Sequence, residues 1–235
     1  MDLDLARRAT AEAVGTALLV AVVVGSGIAA QRLSPDDVGL QLLENSVATG
    51  AALVALILAF GSVSGAHFNP VVSLADRVLG GLTTRQLLAY VPAQVLGAMA
   101  GAVVANLMFE LPAVELSERT RSAGGLWLGE VVATLGLLLV IFGVVRGRHR
   151  DAAAYAVGGY IAAAYWFTSS TSFANPAVTI GRTLTDTFAG IAPSSAPAFV
   201  ACQVIGAGLA LALVRFLFPD LRPADVLIPT EETRS

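Results

Sequence analysis

Ser64-Gly65-Ala66-His67-Phe68-Asn69-Pro70-Val71-Val72-Ser73 decides the reading of this chain, and its centre recurs in Thr171-Ser172-Phe173-Ala174-Asn175-Pro176-Ala177-Val178-Thr179-Ile180. Asn is a good helix N-cap and Pro suits the first helical position, so each Asn-Pro pair reads as the start of a helix. Both pairs lie in long uncharged runs, because residues 45–75 and 152–181 contain no Asp, Glu, Lys or Arg. A helix of about 30 residues would measure about 45 Å, more than the roughly 30 Å hydrocarbon core of a bilayer. Each run is therefore expected to divide into a span and a re-entrant half-helix. Backbone that leaves the helix at that depth must be buried in protein or line a watery cavity. Two helix starts at mid-membrane would place two positive dipole ends and two side-chain amides there, as a pore requires.

Composition agrees with a membrane protein. Of 235 residues, 56% are hydrophobic and only 13% charged, against roughly 25% charge in soluble domains; the mean hydropathy is +0.75. The net charge of −3 is uninformative, and nothing suggests a nucleic-acid partner. The single cysteine, Cys202, rules out an intrachain disulfide and a multi-cysteine metal site, and it reads as a small buried hydrophobe. Arg7 and Arg8 before an apolar segment resemble the start of a signal peptide. The run from Ala13 to Ala30 is long enough to span, however, so it reads as a retained first helix.

Six spans are predicted, at about 11–30, 41–63, 85–109, 123–146, 152–169 and 195–218, with the half-helices at about 66–79 and 173–188. The chain also repeats itself. Glu12-Ala13-Val14-Gly15-Thr16 matches Glu130-Val131-Val132-Ala133-Thr134, and Ala93-Gln94-Val95-Leu96-Gly97-Ala98 matches Ala201-Cys202-Gln203-Val204-Ile205-Gly206-Ala207 in its Gln and Gly-Ala elements. With the Asn-Pro pairs, three matches in the same order imply a single channel domain, 1–235. Its halves lie near 11–109 and 123–218, with a short polar tail at 219–235. Three spans per half invert the second half and put the functional site at the midplane. Gly97, Gly101, Gly206 and Gly208 are expected to permit close helix packing.

With the N-terminus inside, the cytoplasmic side receives Arg7, Arg8, Arg77, Arg85, Arg146, Arg148, Arg150, Arg215, Arg222 and Arg234. The outer side holds Arg32, Arg119, Arg121 and Arg182. Ten against four supports both termini in the cytoplasm.

Inverted three-helix halves, each with an Asn-Pro half-helix, resemble the major intrinsic protein family of aquaporins and aquaglyceroporins. The expected fold is all-α, with six transmembrane helices and two re-entrant half-helices. The resemblance implies that Asn69-Pro70-Val71 and Asn175-Pro176-Ala177 meet at the pore centre, each Asn offering an amide N–H to a passing solute. It implies a wall of acceptor carbonyls from Gly65, Ala66, His67 and Phe68, and from Ser172, Phe173 and Ala174. Opposed half-helix N-termini would disfavour cations. Glu12 and Glu130 invite a proton-relay reading as ionisable residues inside spans; the family implies instead that each carboxylate accepts hydrogen bonds from the loop leading to its half-helix. His67 lacks a second His nearby and His149 lies in an Arg-rich loop, so no metal site is expected, and no cofactor. The family also implies a homotetramer in the lipid bilayer, here a bacterial cytoplasmic membrane.

The chain departs from its family at the outer filter. Most members carry an Arg after the second Asn-Pro-Ala; here that position is Val178. Family spacing assigns Thr49, Ala163 and Ser172 to the rest of the ring, a small and mildly polar set. The glycerol-facilitator Arg-Asp pair is also absent, since Val178 and Thr179 occupy it. A wide filter suits small polyols, urea, water and undissociated metalloid acids such as arsenous acid or methylated arsenicals. The string around Asn175 resembles a bacterial branch associated with arsenic resistance. Arg182 lies four residues beyond Val178, on the same helical face. It either supplies a displaced charge in the outer vestibule, or pairs with Asp186 or snorkels to the interface. No nucleophile–base pair suggests an enzyme. The rival readings are a proton-coupled transporter and a closed-pore structural protein.

Overall fold

The computed structural model describes residues 3–146 and 150–219. His149, Arg148, Arg222, Arg234 and nearly all of the polar tail fall outside them. The described residues form eight α-helices: α1 (Leu3–Leu33), α2 (Val38–Ser64), α3 (Pro70–Leu79), α4 (Thr84–Met108), α5 (Gly124–Arg146), α6 (Ala153–Phe167), α7 (Pro176–Gly181) and α8 (Ala196–Leu217). Five of them, α1, α2, α4, α5 and α8, are long and apolar enough to cross a membrane. The sixth expected span, α6, has 15 residues, about 22 Å of helix. The non-helical stretch to Asn175 carries the chain onward from it.

Polarity is distributed as a bilayer demands rather than as water does. Leu58, Leu88, Leu96, Leu128 and Phe216 are exposed, while Glu12, Gln94, Glu130 and Gln203 are 0% exposed. In an aqueous protein the expected placement is the reverse. The apolar faces look outward to hydrocarbon, and the polar groups converge on the axis.

α1 packs on α4 and α2, and α5 on α8 and α6. The α1–α4 approach depends on missing side chains. A Cβ at Gly97 would come within 2.2 Å of the Ala13 carbonyl oxygen, and one at Gly101 within 2.1 Å of that of Ala17. Gly206 is similarly crowded by the Val131 carbonyl oxygen at 2.5 Å, whereas Gly208 meets nothing and plays no such part. Cys202 is half-buried rather than enclosed.

The two short helices differ in length from expectation. α3 runs ten residues and stops at Gly80, whose φ of 94° gives a left-handed cap. α7 ends after six residues and continues only as a 3₁₀ turn over Arg182–Leu184. The backbone turns back there, with Ile191 N–H donating to the Arg182 carbonyl, so the helix predicted to residue 188 cannot continue.

Candidate functional site: a cavity between two half-helix starts

Each half-helix begins as its sequence dictates. Asn69 takes an extended conformation (φ −154°, ψ 119°) and its Oδ1 accepts from Val71 N–H at 3.1 Å. Asn175 does the same (φ −158°, ψ 113°), accepting from Ala177 N–H at 3.0 Å and Val178 N–H at 3.2 Å. Pro70 and Pro176 occupy the first helical position, where no N–H is needed.

The two starts then lock together. Asn69 Nδ2 donates to the Ala174 carbonyl at 2.8 Å, and Asn175 Nδ2 donates to the Phe68 carbonyl at 2.8 Å. A side-chain amide carries two N–H groups, so each Asn keeps a second donor, and both residues line a common cavity.

The segments leading to the Asn residues are strained in matching ways. Ala66 and Phe68 have φ of 50°, Ser172 has φ of 50° and Ala174 has φ of 49°. Non-glycine residues in the left-handed region cost about 1–3 kcal/mol each and persist only where surroundings fix them. Two buried carboxylates do the fixing. Glu12 accepts from Ser64 Oγ (2.6 Å), His67 N–H (3.0 Å), Phe68 N–H (2.7 Å) and Gln94 Nε2 (2.8 Å). Glu130 accepts from Phe173 N–H (2.9 Å), Ala174 N–H (2.9 Å) and Gln203 Nε2 (2.6 Å). With those N–H groups drawn backwards, the strained backbone can turn carbonyl oxygens toward the cavity. Gly65, Ala66, His67, Phe68, Ser172 and Phe173 line it, and Ala174 contributes the carbonyl that holds Asn69.

Val71 and Ala177, beside the prolines, are buried against the core. Thr49, Ser172 and Val178 face the cavity together with apolar residues such as Leu19, Val23, Leu137 and Ile161. Ala163 does not. It is exposed on the outer side of α6, and Tyr165 lines the cavity instead, its hydroxyl 3.1 Å from Thr49 Oγ1. Two residues along a helix are about 200° of rotation, so a count back from Asn175 that is off by two names the opposite side of α6. Ile161 and Tyr165, four apart, share the lining face; that spacing was the signal in the sequence.

Arg182 is 2% exposed and also lines the cavity. It does not pair with Asp186, whose Oδ1 accepts from Ser117 Oγ at 3.3 Å and Glu118 N–H at 3.0 Å. Arg182 Nε donates to the Ala189 carbonyl, and its guanidinium carbon lies 3.4 Å from the centroid of the Phe173 ring. Near the other end, His67 Nδ1 is 3.0 Å from Ser73 Oγ, and its Nε2 is 3.7 Å from Asp76 Oδ2. Asp76 is fully buried, and sequence reading passed over it. Among the described residues no group of three His, Cys, Asp or Glu could hold a metal ion.

The sequence profile of the family described as "Major intrinsic protein" matches residues 1–168. The chain belongs to that family. This major intrinsic protein is 53% identical over 222 residues to aquaglyceroporin AqpS of Rhizobium meliloti (strain 1021), covering 94% of each chain. It is 29% identical to the probable aquaporin AqpM of Archaeoglobus fulgidus, over 92% of this chain and 99% of that one. The X-ray structure of the aquaglyceroporin from Plasmodium falciparum superposes with a TM-score of 0.70 at 21% identity, covering 92% of this chain and 98% of that one, a likeness of fold. The protein is thus a membrane channel of the major intrinsic protein family with the all-α fold of aquaporins, and its relatives are channels rather than enzymes.

Proposed function

We propose that this major intrinsic protein is a passive, wide-filtered channel for small uncharged solutes. Its filter comprises Thr49, Tyr165, Ser172 and Val178, and Arg182 supplies the fixed charge one turn beyond. The observation that carries the reading is the pair of facing amides: Asn69 and Asn175, each held by the other half's carbonyl and each lining one cavity. A neutral solute crossing the midplane trades water for these donors and for the carbonyls on the adjoining wall. Val178 leaves open the volume that a long cationic side chain would fill. The Thr49–Tyr165 hydroxyl pair supplies a polar edge without charge. Glycerol, urea, water and undissociated metalloid acids such as arsenous acid or methylated arsenicals fit this description. Two inverted halves, near 11–109 and 123–218, account for the matched Glu12 and Glu130 networks. Their carboxylates, already engaged by backbone N–H groups, serve as scaffold rather than relay. A homotetramer in the cytoplasmic membrane, with both termini inside, completes the proposal.

Stopped-flow light scattering on proteoliposomes, with water, glycerol, urea and arsenous acid in parallel, tests it. Flux of at least one neutral solute above lipid controls is expected, unaffected by a proton gradient. Folded protein that conducts none of them would end the channel reading, and flux that follows the proton gradient would favour a coupled transporter.

A further inference from the structure

The mouth opposite the termini gathers three guanidiniums, more than the single fixed charge that the proposed channel uses. Arg182 comes from the turn after α7, while Arg119 and Arg121 come from the connection between α4 and α5. Arg121 Nε donates to the Gly190 carbonyl at 3.0 Å, and Arg119 Nη1 donates to the Phe188 carbonyl at 3.0 Å. With Arg182 Nε on the Ala189 carbonyl, three cations grip three consecutive carbonyls of one loop. Two of them also share an aromatic ring: the guanidinium carbons of Arg182 and Arg121 lie 3.4 Å and 5.1 Å from the Phe173 centroid.

Among the described residues none of the three guanidiniums forms an ion pair. The carboxylates at hand are committed elsewhere, Asp186 to Ser117 and Glu118 N–H, Glu130 to Phe173 and Ala174 N–H. Arg119 is exposed and Arg121 half-buried, so water meets part of their demand, but a buried charge is ordinarily paired. Arg182 is the clearest case: nearly fully buried, facing the cavity, with only its Nε hydrogen-bonded. The two Nη groups carry the remaining four N–H donors. Burial, and then the neighbouring charges of Arg182 and Arg119, pull the Arg121 guanidinium down to about 9, with Glu130 and Tyr165 offsetting part of that fall.

We propose that this mouth is a binding site for a small monovalent oxyanion, of the carboxylate or nitrate kind, held between Arg182 and Arg121 beside the Phe173 ring. Planar guanidinium donors match a planar oxyanion better than they match a spherical halide. Small size follows from the surroundings, since Val178, Phe173 and the Thr49–Tyr165 pair line the same cavity as Arg182. The occupant sits at the mouth and hinders neutral solutes from that side.

Titration of ¹³C-formate into the detergent-purified full chain at fixed chloride, read by ¹³C line broadening, tests the site directly and without flux. Saturable binding is expected, with nitrate competing. Arg182→Gln and Arg121→Gln should each weaken it about tenfold or more. Arg182→Lys should weaken it less, and Arg85→Gln, on the face of the termini, should leave it unchanged. Gel filtration confirms that each variant is folded, and Arg121→Gln lies in a connection whose loss the helices should tolerate. Formate broadening that does not saturate, that chloride abolishes on equal terms, or that persists in both Gln variants overturns the site. Saturable, arginine-dependent binding by a protein that conducts no neutral solute upholds the site while removing the channel reading.

Discussion

Replacing Glu12 by Gln tests whether the buried carboxylate holds the loop or carries protons. Glu12 accepts four hydrogen bonds, two on each oxygen: Ser64 Oγ and His67 N–H on one, Phe68 N–H and Gln94 Nε2 on the other. A Gln side chain offers one acceptor oxygen and one NH₂ group. Ser64 can rotate its hydroxyl to accept, and Gln94 can turn its unpartnered Oε1 toward the new amide. A backbone N–H has no such freedom, so either His67 or Phe68 is left facing a donor. One buried unsatisfied donor costs about 1–3 kcal/mol. With about 2–4 °C per kcal/mol for a chain of this size, the melting temperature should fall by about 2–12 °C. Glu12→Ala loses every contact at once, leaving the His67 and Phe68 N–H groups both unsatisfied, and should cost about 2–6 kcal/mol. Thermal unfolding of the detergent-purified protein, followed by intrinsic fluorescence, ranks wild type above Gln above Ala. Solute flux should fall in that order too, because Ala66 and Phe68 lose what keeps them at φ of 50°. An unchanged melting temperature in Glu12→Gln, with proton-gradient dependence of flux abolished, would refute the scaffold argument and establish a relay.

Three further outcomes are expected. Val178→Arg fills the opening with a second guanidinium one turn from Arg182; glycerol and urea flux should drop about tenfold, equivalent to about 1.4 kcal/mol of added barrier, while water flux in the same stopped-flow series is less affected. Tyr165→Ala should raise flux of the larger solutes, whereas Ala163→Tyr, on the exposed side of α6, should leave all fluxes unchanged; the opposite pattern would restore Ala163 to the filter. Arg182→Ala should raise cation or proton leak in dye-loaded liposomes, and equal leak in wild type and variant would discard its role as the fixed charge.

What could be read in advance followed from interactions a few residues long. Asn before Pro caps and starts a helix wherever it stands, and both half-helices begin where the dipeptide says. The spans were legible because hydrocarbon demands length and apolarity, and the Glu and Gln elements because they repeat. Two spans differ from expectation: α1 begins at Leu3, since Arg7 and Arg8 continue the helix past the apolar run, and the helix expected over 152–169 is only the 15 residues of α6.

The sequence by itself therefore determined the class of fold and the two helix starts, because capping, hydropathy and internal repetition are local or linear properties. Tertiary structure decided which side chains meet at the cavity. The rotation of α6 against α2 brings Tyr165, not Ala163, to Thr49. The short α7 lets Arg182 fold onto Phe173 and the Ala189 carbonyl rather than pair with Asp186. Each helical residue adds about 100° of rotation, so two steps in register exchange the inside for the outside. The four-residue spacing of Ile161 and Tyr165 marks one face of α6, but only packing decides that this face meets the cavity.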